Sequence, residues 1–114
     1  MARAHDGGVD VRVLVVEDCP NEVAAVALVR QALHDVGLPS VPVSTRVVTA
    51  FEEATELTFT GSPTILIDGR DPFAQPGQSP ALACRIYRSP AGAAGVPELA
   101  PLREALKRAA DSHF

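Results

Sequence analysis

Apolar and polar positions alternate with different periods along the chain, and the periods predict its elements. Val11 to Val16 is a β-branched run broken only by Arg12, the pattern of a central strand covered on both faces. Glu17, Asp18, Cys19 and Pro20 close it. Val23, Val26, Val29, Leu33 and Val36 then recur at three- and four-residue steps, which predicts a first helix stopped by Gly37, with Pro39 beyond. Pro20 suits the first helical turn, so Cys19 is expected at the N-cap and Glu22 at the third helical position. Val41, Val43, Thr45 and Val47 alternate with polar residues in a second strand, and Pro42, which cannot donate to a ladder, puts that strand at a sheet edge. Thr49 and Glu52 have the spacing of a capping box, predicting a short helix from Ala50 to about Leu57. Gly61, Ser62 and Pro63 interrupt the chain before a third strand, Thr64 to Ile67, closed by Asp68 and Gly69. Residues 70–83 carry Pro72, Pro76, Gly77 and Pro80 and read as a long surface loop. Cys84 to Arg88 resumes the alternation as a fourth strand, 89–95 reads as a turn, and Leu99, Leu102, Leu106 and Ala109 mark a last helix starting near Pro101.

The expected order is therefore β-α-β-α-β-β-α, an α/β fold with a four-stranded mixed sheet flanked by helices on both faces. A length of 114 residues suits one domain, expected over 10–114 behind a flexible polar leader at 1–9. With 46% hydrophobic and 21% charged residues the chain has the composition of a compact globule. A net charge of -4 offers no footprint for a phosphate backbone, so nucleic acid is not an expected partner. No run approaches the roughly 20 apolar residues a bilayer needs, and the first residues lack an apolar signal core, so the expected location is the cytoplasm, with no membrane partner. His5, His34 and His113 are scattered, no glycine-rich phosphate loop follows the first strand, and neither a metal nor a cofactor is expected.

Cys19 and Cys84 carry the chemistry worth weighing. A cysteine at a helix N-cap faces free N–H groups and the positive end of the helix dipole, which favour a thiolate. Glu17, Asp18 and Glu22 surround the same turn and oppose it, and Glu22 has the alternative role of bonding back to the N-cap N–H. A small apolar filler is the bland role for Cys19. Arg85 and Arg88 are solvated strand charges or ligands for an acidic group, and Tyr87 is expected to pack with its hydroxyl at the rim. As hairpin partners, the third and fourth strands would put Cys84 at the sheet end away from Cys19, beyond disulfide reach.

Cys19-Pro20-Asn21-Glu22 after a strand, with Gly61-Ser62-Pro63-Thr64 opening a later one, resembles the paired signature of the thioredoxin-like fold. The Cys-Pro start is similar to that of glutaredoxins. The resemblance implies thiol and redox chemistry by Cys19 alone, with Asp18 and Glu22 beside it, through a mixed disulfide or another thiol adduct; that the Ser62-Pro63 bond is cis; and that Pro20, Asn21, Ser62, Pro63 and Thr64 line a groove for a small thiol, a peptide or a small-molecule ligand. Glu22 stands where the second cysteine of the C-x-x-C motif would be. More narrowly, the Cys-Pro-Asn start, the Gly-Ser-Pro-Thr loop, Ile67-Asp68-Gly69 and Cys84-Arg85-Ile86-Tyr87 resemble small bacterial thioredoxin-like proteins often labelled as relatives of organomercurial (alkylmercury) lyase. That resemblance implies an alternative, cleavage of a carbon–mercury bond with Cys19 and Cys84 as metal-holding thiols and Asp18 as acid. A non-catalytic binding module on the same fold is the third expectation.

Overall fold

The computed structural model describes residues 8–113. Most of the expected leader, His5 included, lies outside the described residues, but Val9, assigned to that leader, is fully buried in the main core. The elements are β1 (Val11–Val15), α1 (Glu22–Asp35), β2 (Val43–Val47), α2 (Phe51–Leu57), β3 (Thr64–Ile67), β4 (Tyr87–Ser89), β5 (Gly92–Ala94) and α3 (Leu99–Asp111).

The main sheet has three strands in the order β2-β1-β3. β1 runs parallel to β2, with Val11 opposite Val43, and antiparallel to β3, with Leu14 opposite Thr64. Alternation along β1 then feeds two cores. Val11, Val13 and Val15 point with Ile65 and Ile67 into the larger one, against Ala25, Val29, Ala32 and Leu33 of α1 and Leu102 and Leu106 of α3. Leu14 and Leu66 point the other way and pack with Val48, Ala54 and Phe59. The helical stripe of α1 is rotated from the expected one, because small Ala25 and Ala32 let the helix sit close to the sheet while Val23 stays 82% exposed. α2 is held at its start by Glu53 rather than Glu52: the Glu53 carboxylate accepts the Thr49 N–H and pairs with Arg46, and those contacts, the N–H first, keep it below the usual carboxylate range.

A four-stranded sheet does not form. Asp68 and Gly69, with φ of 53° and 79°, make a tight reversal that pairs Ile67 with Arg70 and no further. Pro72, lacking an N–H, cannot extend that ladder. The 70–83 segment instead folds back, and the expected fourth strand is displaced to Tyr87–Ser89, where it pairs with Gly92–Ala94 in a separate two-stranded hairpin built from the expected turn.

Candidate functional site

Because β1 and β3 are antiparallel, the end of β1 lies beside the start of β3. The Val16 N–H donates to Ser62 Oγ at 3.0 Å, and Ser62 is fully buried. The Ser62-Pro63 bond is cis, as expected from the resemblance. Thr64 Oγ1 donates to the Gly61 carbonyl at 2.6 Å and closes this loop on itself.

The returning chain docks on the same loop. The Ser62 N–H donates to the Ala83 carbonyl at 2.7 Å and the Arg85 N–H to the Ser62 carbonyl at 2.9 Å, so Cys84 sits alongside Ser62 in a parallel bridge. This approach requires Gly61: its φ is +136°, and a Cβ there would come within 2.8 Å of Arg85 Cβ. The fold-back overturns the expected place of Cys84 in the sheet, while the two thiols stay unpaired, as expected. Cys84 lies at the end of the sheet from which the Cys19 turn emerges, not at the opposite end.

Cys19 and Cys84 are both free, the first buried and the second exposed. Cys19 belongs to the main hydrophobic core at 8% exposure. It is not the N-cap of α1. The helix begins at Glu22 with Asn21 as N-cap, and residues 19–22 form a preceding turn in which the Glu22 N–H reaches the Cys19 carbonyl at 3.3 Å. Asp18 adopts a left-handed φ of 55° and is exposed. Glu22 makes no cap hydrogen bond, and the Asn21 amide lies against Gly95, where a Cβ would collide with it. Cys19, Asn21, Ser62, Pro63 and Cys84 thus gather at one end of the molecule. Thr64 instead turns inward, and the Asp18 and Glu22 carboxylates have no hydrogen bond or ion pair among the described residues.

Arg85 and Tyr87 anchor the segment that carries Cys84, in a way the alternation did not show. Arg85 is buried at 5% and Ile86 is 59% exposed, the reverse of the apolar pattern. The Arg85 guanidinium pairs with Asp71 at 2.6 Å, donates to the Phe73 carbonyl at 2.8 Å, and lies 4.5 Å from the centre of the Tyr87 ring. Asp71 also accepts the Phe73 N–H, and Phe73 meets Tyr87 edge to face. Arg85 is therefore not a solvated charge or a free anion ligand. The Tyr87 hydroxyl is not at the rim either: it donates to the Pro63 carbonyl at 2.5 Å. The only signal for this cluster was an arginine two positions before the single tyrosine.

Burial pushes the Tyr87 phenol well above its ordinary value near 10, Asp71 adds to the rise and Arg85 opposes it. The folded phenol thus keeps its proton to higher pH than the unfolded one, so its stabilising contribution is complete below about pH 10 and is lost as pH rises beyond it. Tyr87 is the sole tyrosine, so absorbance at the phenolate band reports it alone. The band should stay flat in the folded protein past the ordinary phenol range and rise with unfolding. Titration near pH 10 with the fold intact would show the hydroxyl to be in contact with water.

Comparison with protein-family models, with curated proteins and with solved structures finds no match to this chain. Among the described residues no helix is long and apolar enough to cross a membrane, and no three His, Cys, Asp or Glu side chains gather in a way that would hold a metal ion.

Proposed function

We propose that the protein is a thioredoxin-like thiol protein in which Cys19 and Cys84 work as a pair drawn from different parts of the chain. The observation that carries this is the bridge between Ser62 and Cys84, which brings the second thiol to the Cys19 end of the sheet. The order β2-β1-β3 with helices on both faces, and Pro63 opening β3 next to the Cys19 turn, support the reading. Glu22 removes the second sulfur from the C-x-x-C position, and Cys84 supplies one from the returning loop.

The exposed Cys84 thiolate attacks one sulfur of a small-molecule or peptide disulfide, forming a mixed disulfide and releasing the other half as a thiolate. Cys19, as thiolate, then attacks the Cys84 sulfur and releases the remaining half. The protein is left with a Cys19–Cys84 disulfide, and an external thiol reductant restores both thiols. The lyase alternative would use the same two thiols to hold mercury, with Asp18 as the acid. With Cys84 exposed and Cys19 buried, a stepwise exchange that begins at Cys84 is the reading favoured here.

Exposure to glutathione disulfide should yield a species with the mass loss of one internal disulfide and no free thiol after denaturation. The Cys19→Ser variant should stop at a glutathione adduct on Cys84. A wild-type protein that keeps the adduct on Cys84 while Cys19 stays open to alkylation once denatured would overturn the paired-thiol reading.

A further inference from the structure

At the opposite end of the sheet, the start of β1, the turn after β3 and the last turns of α3 enclose an open cleft of about 970 Å³. Its volume is that of a small-molecule site. Ile67 of β3 and the short side chains of Ala105 and Ala109 of α3 supply its apolar lining.

The charges around it are unequally satisfied. Three carboxylates line the cleft, and each has partners. Asp10 accepts Arg12 Nε at 3.1 Å, Asp68 accepts the Asp10 N–H and faces His113 Nε2, both at 2.9 Å, and Asp71 is held by buried Arg85. Two guanidinium groups on the same walls, Arg70 and Arg108, are exposed and have no hydrogen bond or ion pair among the described residues. Arg70 is presented by the tight Asp68-Gly69 turn, and Arg108 stands in the last turn of α3. In a chain of net charge -4, two unpaired guanidinium groups thus stand on separate elements facing one cavity. Guanidinium forks match carboxylate and phosphate oxygens with paired, charge-assisted hydrogen bonds.

We propose that this cleft binds a compact polyanion, through Arg70 and Arg108, at a site separate from the two thiols. The recognised feature is a head group with two or more negative charges, carried by phosphates or by carboxylates. Nothing in this site depends on Cys19 or Cys84, so the two readings fail independently.

Isothermal titration at low salt with pyrophosphate and with citrate separates the two sources. One-site, saturable binding of either probe is expected: pyrophosphate alone assigns a phosphate ligand, citrate alone a carboxylate one. Arg70→Ala and Arg108→Ala should each weaken that binding by roughly tenfold, the loss of one charge-assisted contact. Both side chains lack partners, so the variants should unfold at the wild-type urea concentration. Arg30→Ala, which removes an exposed arginine of α1 outside the cleft, should leave binding unchanged. No saturable binding of either probe, or an equal loss in Arg30→Ala, would overturn the proposal.

Discussion

Asp71→Ala should remove about 3–5 kcal/mol of folding stability, the cost of leaving a buried charge without its partner. The Arg85 and Asp71 side chains are 3% and 5% exposed, so water cannot replace the missing carboxylate. The Phe73 N–H and its carbonyl lose their fixed geometry as well, because the same aspartate and arginine hold both. Against the roughly 5–15 kcal/mol that stabilises a typical domain, this is a large fraction. Urea unfolding followed by circular dichroism measures it directly. The double variant Asp71→Leu with Arg85→Met should regain most of the loss, since removing both charges leaves neither to be desolvated. A loss under about 1 kcal/mol in Asp71→Ala would mean that the 70–83 segment opens to solvent and hydrates the guanidinium. The same substitution reaches the thiols. Arg85 follows Cys84 directly and its N–H binds the Ser62 carbonyl, so loosening it should slow formation of the proposed Cys19–Cys84 disulfide while leaving alkylation of exposed Cys84 fast.

Phe59→Ala should cost a similar amount, about 3–5 kcal/mol, for a different cause. Phe59 is fully buried and is the largest side chain of the smaller core, where Leu14, Val48, Ala54 and Leu66 are its buried companions. So few neighbours cannot collapse into the space it would leave. The cavity therefore persists, and its cost adds to the lost transfer energy. Phe51 offers the contrast at the start of the preceding helix: at 58% exposure, Phe51→Ala should change stability by no more than about 0.5 kcal/mol. Native-state hydrogen exchange should show α2 losing protection first in Phe59→Ala, because that helix rests on the smaller core. Uniform loss across all three helices would show instead that the two cores melt as one unit.

Local patterning carried β1, α1, β2, α2, β3 and α3, because each of these elements announces itself within one stretch of chain. The apolar run at Val11–Val15 needs cover on both faces, and it has it. Thr64–Ile67 matched its expected bounds, set off by Gly61 and Pro63 before and by Asp68 and Gly69 after. Pro42 marked the edge position of β2, where a missing N–H leaves no ladder incomplete. The start of α1 was less legible. Pro20 fits a first helical turn, yet the left-handed Asp18 and the packing of Asn21 against Gly95 delay the helix to Glu22.

Sequence pattern alone could not place the segment from Arg70 to Tyr87, since its conformation answers to partners far along the chain. Alternation marks Ile86 for the interior and Arg85 for solvent, and that rule assumes a charge has nothing to meet inside. Asp71 lies fourteen positions away, and with the Phe73 carbonyl and the Tyr87 ring it makes a buried site for a guanidinium that no local window reveals. Once Arg85 turns inward, Ser62 binds the backbone on either side of Cys84, and the second thiol moves to the Cys19 end. Which residues can do thiol chemistry is legible from two cysteines in the composition; which end of the sheet the second one reaches depends on a buried ion pair formed across a proline-rich loop.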